Sequence, residues 1–116
     1  MLPRGERLRR RKDFLACYHE GRAYAQAHLV MYVRPQCSGR RFGFVVGKKV
    51  GKAVVRNRVK RRLRAACREC LPSLTENFDA VIIARKNVAE VDYHHLLREM
   101  RDLFRSARVW KASTEE

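Results

Sequence analysis

Apolar positions along the chain follow two spacings, and the places where one gives way to the other outline the elements. In residues 9–20, Phe14, Leu15, Cys17 and Tyr18 recur three and four apart, which predicts a helix that Gly21 stops. Leu29, Val30, Met31, Tyr32 and Val33 are strand formers ended by Pro35, and residues 23–26 offer a short strand before them. Residues 41–46, "RFGFVV", form another strand after the turn "CSGR", so these two strands are expected to pair as a hairpin. Gly47 and Gly51 bracket a loop. Residues 54–71 return to helical spacing and stop at Pro72. "DAVIIA", residues 79–84, is an almost unbroken apolar run, as expected of a central strand covered on both faces. Residues 92–107 form a last amphipathic helix with Leu96, Leu97, Met100, Leu103 and Phe104 along one side. The order predicts an α+β fold of the α-β-β-β-α-β-α kind, a two-layer α/β sandwich with helices packed on a small sheet. The whole chain, 1–116, reads as a single domain, with 1–8 and 110–116 expected to be flexible.

Side-chain parity sharpens two of these elements. In the strand at 29–33, Met31 and Val33 point to one face, while Val30, Tyr32 and Arg34 point to the other. In the helix at 54–71, a step of about 100° per residue gathers Val55, Val59, Leu63, Ala66 and Cys70 into one stripe. Asn57, Arg61, Arg64 and Arg68 fall opposite it. Arg56 and Lys60 flank one edge of the stripe, and Arg58 and Arg62 the other.

Charge changes this picture from a fold to a function. The ten Lys and Arg residues from Lys48 to Arg68 have no acidic residue among them. Solvated helix faces usually mix signs, because opposite charges three or four apart stabilise a helix by ~0.2–0.5 kcal/mol per pair and like charges cost as much. A polyanion would relieve that repulsion. Residues 1–68 carry 20 Lys/Arg against 3 Asp/Glu, whereas 69–116 carry 7 against 9, so the anion meets the first part. Arginine suits bidentate phosphate contacts, and Asn57 can both donate to and accept from a base edge or a 2′-hydroxyl. Nucleic acid is the polyanion favoured. No apolar stretch approaches the roughly 18 residues of a spanning helix, and residues 1–12 hold no hydrophobic signal region. A cytoplasmic protein without membrane contact is expected. Cys67 and Cys70 form a CxxC, but Cys17 and Cys37 provide no second pair, so reduced, half-buried thiols are expected rather than a disulfide or zinc site.

The stretch "KKVGKAVVRNRVKRRLR" closely resembles the signature of the bacterial ribonuclease P protein subunit, here Arg56-Asn57-Arg58 after a Lys-Lys-Val-Gly loop. "RLRRRKDFLACYHEGR" resembles that family's first helix, "LVMYVRP" and "RFGFVVGKKVG" its strands, and "FDAVIIARK" its last strand. The resemblance implies a ribosomal-protein-like fold whose small mixed sheet has a left-handed βαβ crossover, against the usual hand. It implies a protein cofactor of an endonuclease whose catalyst is RNA. The partners are then the catalytic RNA subunit and precursor tRNA, with no obligate protein partner, and Mg²⁺ is bound mainly by RNA and substrate. The residues expected on the catalytic RNA are Lys48, Lys49, Lys52, Arg56, Asn57, Arg58, Lys60, Arg61, Arg62, Arg64 and Arg68. A groove for the 5′ leader of precursor tRNA is expected from Arg9, Arg11, Lys12, Phe14, Tyr18, Tyr32, Arg34 and Phe44, aromatic platforms among cations being the usual receptor for single strands. Core packing is the competing reading of Phe14, and the stronger one for Phe44. Tyr18 departs from the resemblance, since an apolar aromatic is common there.

Two other readings compete. One is a general RNA-binding or ribosome-associated module. The other is a nuclease that works alone, for which His95, Glu99 and Asp102 share a helix face at spacings of four and three. The expectation is instead an exposed face opposite Leu96, Met100 and Phe104, interleaved with Arg98, Arg101 and Arg105. No catalytic side chain and no metal ligand is expected in the chain.

Overall fold

The computed structural model describes residues 7–36 and 39–111, so Cys37 lies outside it. The elements are α1 (Arg11–Glu20), β1 (Arg22–Ala25), β2 (Leu29–Pro35), β3 (Arg41–Val45), α2 (Ala53–Cys70), β4 (Phe78–Ala84) and α3 (Tyr93–Ser106). The strands form one mixed sheet in the order β1-β2-β4-β3. The expected hairpin between β2 and β3 does not form. β4 enters between them, antiparallel to β2 (Leu29 opposite Ala84) and parallel to β3 (Phe42 opposite Ala80). The reason is burial. β4 is the most apolar strand, all but one of its residues are buried, and only a central place covers both its faces. The parallel pair β3–β4 then needs a crossover, which α2 provides.

The α2 and α3 helices cover one face of the sheet. Their stripes, Val59, Leu63, Ala66, Cys67 and Cys70 on α2 and Leu96, Leu97, Met100, Leu103 and Phe104 on α3, meet Leu29, Met31, Val33, Phe42, Ala80 and Ile82 in one core. Phe42, Phe78 and Phe104 meet edge to face, with centroids 5.6–6.4 Å apart. Asp92 caps α3 by accepting the His95 backbone N–H at 2.9 Å.

On the other face α1 covers a second, smaller core of Leu8, Cys17 and Val81. Only 10 residues long, α1 leaves Val30, Tyr32, Val45 and Ile83 half-buried. Of the two chain ends, residues 7–8 and 110–111 are described, and both pair with the body of the fold. Arg7 bridges to Phe42 alongside β3, and the Leu8 N–H donates to the Phe42 carbonyl at 2.8 Å. Trp110 bridges to Leu74, and the Lys111 N–H donates to the Ser73 carbonyl at 2.8 Å. Among the described residues no helix is long and apolar enough to cross a membrane.

Candidate nucleic-acid interface

α2 is amphipathic because its apolar residues return every three or four positions, and burying that stripe turns everything else outward. Asn57, Arg58, Arg61 and Arg68 are exposed; Arg56, Lys60 and Arg62, along the stripe, and Arg64, opposite it, are half-buried. The exposed Lys48 and Lys49 sit in a 3-10 turn before the helix, and Lys52 is its N-terminal flank. Gly51 makes this approach possible: its φ is 153°, and a Cβ there would lie 3.2 Å from the Val55 side chain. The first turn of α2 has no acidic residue and no capping side chain, so its positive dipole end is left unneutralised. The Nε of Arg56 is shielded and makes no hydrogen bond among the described residues. Arg61, Arg64 and Arg68 line a surface hollow of about 580 Å³ with Ala65, Glu69 and Tyr93. The arrangement is a row of cations that form no ion pair among the described residues.

The α1 face has a different composition. Arg9, Arg11 and Lys12 are exposed at the start of α1. Phe14 packs closely on the sheet at Gly43, where an added Cβ would fall 2.5 Å from its ring. A glycine inside a strand marks such a close approach. Phe14 is therefore half core and half surface. Tyr18 and Tyr32 meet edge to face at 5.0 Å, both half-buried, and burial together with neighbouring Cys17 and Tyr32 pushes the Tyr18 hydroxyl above its usual pKa. Between them Cys17 donates its thiol to the Tyr32 carbonyl at 3.3 Å. Burial, aided by the charge of Asp79, raises that thiol to about 11.

Phe44 does not belong with this group. It pairs with Ile82 while Tyr32 pairs with Val81, and neighbouring residues of β4 point to opposite faces. Phe44 packs against the α2–α3 core. Arg34 is on the right face but is already engaged. Its guanidinium donates to Asp79 Oδ2 at 3.0 Å and to Glu20 Oε1 at 3.1 Å. Arg41, which the sequence reading did not single out, grips Asp79 through Nε at 3.1 Å and Nη2 at 2.9 Å and also reaches Asp13 at 3.3 Å. Gln36 donates to Asp79 at 2.6 Å. Hydrogen bonding to Asp79 holds both arginines firmly charged. This network ties α1 to the sheet at Asp13 and Glu20. The register that opposes Arg41 to Asp79 creates it, and an expected β2–β3 hairpin gives no sign of that register.

The face expected to carry an exposed His95–Glu99–Asp102 row is also different. Glu99 is buried and meets His95 and His28, and Asp102 is not part of the group.

Residues 2–108 match the family model for Ribonuclease P. The ribonuclease P protein component of Microcystis aeruginosa is 41% identical over 114 residues, covering 93% of this chain and 95% of that protein. That of Desulfovibrio desulfuricans is 44% identical over 110 residues, covering 90% and 85%. Among solved structures, the RNase P protein from Thermotoga maritima superposes with a TM-score of 0.79 at 34% identity, covering 87% of this chain and 96% of that one. The Staphylococcus aureus RNase P protein gives 0.82 at 26% identity, covering 90% and 97%.

Proposed function

The chain belongs to the ribonuclease P protein family, and on that premise we propose that it works in tRNA processing by holding two RNAs at once, with α2 on the catalytic RNA subunit and the α1 face on the 5′ leader of precursor tRNA. The observation that carries this reading is the contrast in how the arginines are engaged. Among the described residues the exposed guanidiniums of α2 form no ion pair with a carboxylate, which suits a folded RNA rich in phosphate. On the α1 face Arg34 and Arg41 are consumed by Asp79. What remains there is Phe14, Tyr18 and Tyr32 beside Arg9, Arg11 and Lys12, which suits a single strand laid on aromatic rings. Asn57, amid the α2 arginines, adds a contact that can both donate and accept.

In this assembly the RNA subunit performs the hydrolysis that yields the mature tRNA 5′ end, and the protein binds and orients. Mg²⁺ is assigned to RNA and substrate, because the guanidinium, ammonium and aromatic groups of these two surfaces do not ligate it. The protein is placed in the cytoplasm with its tRNA substrate.

The decisive experiment mixes pure protein, cognate large RNA and precursor tRNA at low Mg²⁺, omitting each in turn. Cleavage should require the RNA, and the protein should enhance it. Protein that cleaved alone, or that bound RNA without affecting processing, would overturn the reading. Replacing Arg56, Arg58 and Arg62 together by Ala should weaken assembly and flatten its salt dependence, since fewer counterions are released. Wild-type affinity across a salt titration would remove α2 from the RNA contact.

A further inference from the structure

A second polar cluster lies apart from both RNA surfaces, where α3 crosses the start of β2. His28 Nδ1 is 2.6 Å from Glu99 Oε2, and His95 Nε2 is 2.7 Å from the same oxygen. The His28 backbone N–H donates to the other oxygen, Oε1, at 3.0 Å. The imidazole planes cross at 84° with centroids 5.1 Å apart. One nitrogen of each ring and one carboxylate oxygen therefore converge within 4.8 Å of one another.

The groups come from well-anchored backbone. His95 and Glu99 stand one turn apart on α3, whose N-terminus Asp92 caps through the His95 N–H. The His28 carbonyl accepts the Arg85 N–H at 2.9 Å, just beyond the end of β4. Burial is uneven. The Glu99 side chain is 5% exposed and that of His28 14%, while His95 is 39% exposed and leaves a route to solvent.

The two buried carboxylates of the described residues are treated differently. Asp79 is met by two guanidiniums that are always charged. Glu99 is met by two imidazoles, which are cationic only when protonated. A buried carboxylate calls for a compensating positive charge.

We propose that His28, His95 and Glu99 form a site for a divalent transition-metal ion of the zinc class, bound through His28 Nδ1, His95 Nε2 and a Glu99 oxygen, with water as the remaining ligand. Two imidazoles and one carboxylate with an open position match zinc chemistry. Mg²⁺ and Ca²⁺ prefer all-oxygen sites. Tetrahedral ligand atoms at zinc distances lie about 3.3 Å apart, so the contacts now at 2.6 and 2.7 Å would open and the two ring nitrogens, within 4.8 Å of each other, would draw together about the ion. Each ligating nitrogen must present its lone pair. In a neutral ring its proton moves to the other nitrogen, and an imidazolium releases one proton to solvent. The ion would staple α3 to the start of β2. This revises the sequence expectation that the chain has no metal ligand, and it stands independently of the RNA contacts.

The test uses tag-free protein stripped with a chelator. Calorimetric titration with Zn²⁺ should show one saturable equivalent, and Mg²⁺ at the same concentration none. Zn²⁺ should raise the thermal midpoint. Co²⁺ should give visible bands of low-coordinate nitrogen and oxygen ligation without the intense near-ultraviolet band of a thiolate, which separates this site from the cysteines. His95→Gln alters the most exposed ligand, so the fold should survive, as circular dichroism can verify. Its Zn²⁺ affinity should fall by at least the roughly 10- to 100-fold typical of losing a mere outer-shell partner. Absence of saturable Zn²⁺ binding, a thiolate spectrum, or binding unchanged in both His95→Gln and His28→Gln would overturn the proposal.

Discussion

The two faces of the sheet use the same four strands for opposite ends. On the α2–α3 face every second residue of β2 and β4 is sealed against two helices, with three phenylalanines at the centre. On the α1 face the intervening residues meet one short helix, a buried ionic network and half-exposed aromatics. Alternation along a strand lets one side supply the free energy of folding while the other is spared for a ligand. An aromatic ring can bind a base only if the protein has not finished burying it, and a closed core on the reverse side is what permits that.

Substitutions on each face should therefore fail in different ways. The largest effect belongs to the closed face. Phe104→Ala should cost about 3–5 kcal/mol of stability, read by thermal or urea denaturation, with RNA binding lost only in proportion to unfolding. Asp79→Ala follows, because it strands two guanidiniums. Loss of a fully buried partner costs ~3–5 kcal/mol, but Arg34 and Arg41 keep 20% and 29% of their side-chain surface exposed, so roughly 2–3 kcal/mol is expected. The same change should loosen α1, seen as faster amide exchange there than in α3. Phe14→Ala, on the open face, should remove about 1–3 kcal/mol of affinity for precursor tRNA and little for mature tRNA, which lacks the leader. Binding to substrates with progressively shortened leaders measures it. A folded variant that kept the full leader preference would show that Phe14 serves the core alone. Tyr18→Phe should be milder than Tyr18→Ala if the ring is what matters. The smallest effect is alkaline. Cys17 and Cys70 are raised from 9.0 to about 11, chiefly by burial. The folded state keeps these protons longer than the unfolded chain, so their contribution to stability is complete below about pH 9 and declines between pH 9 and 11. Both thiols should also resist alkylation in mildly alkaline native buffer and react once denatured.

Much of this division was legible in the sequence. The apolar stripe of α2 and its cationic back follow from helical spacing, and Met31 and Val33 against Tyr32 follow from strand parity. What failed was adjacency. Sequence neighbours β2 and β3 each read as good hairpin partners, and nothing local to either indicates that a strand more than thirty residues further on displaces that pairing. With the wrong neighbour, the opposition of Arg41 to Asp79 was invisible; Phe44, joined to Tyr32 only through the family resemblance, read more strongly as core, and it packs there. His28 was equally hidden, because it meets Glu99 only through the packing of α3 on β2. Gly43 was the one local clue to the close packing of Phe14 on β3.

The central place of β4 also sets the order in which this protein can come into being. As the chain is synthesised, β1 and β2 can pair early, but β3 has no strand to join until Phe78–Ala84 has emerged. Before that the whole of α2, with its mutually repelling arginines, has already been made and has no sheet to rest on. The nascent chain thus passes through an interval in which apolar strand edges and a dense cationic segment are exposed together. Long-range pairing of this kind is slow to form and prone to aggregation while it waits. An RNA that captured the cationic segment in that interval would act on folding as well as on the folded protein.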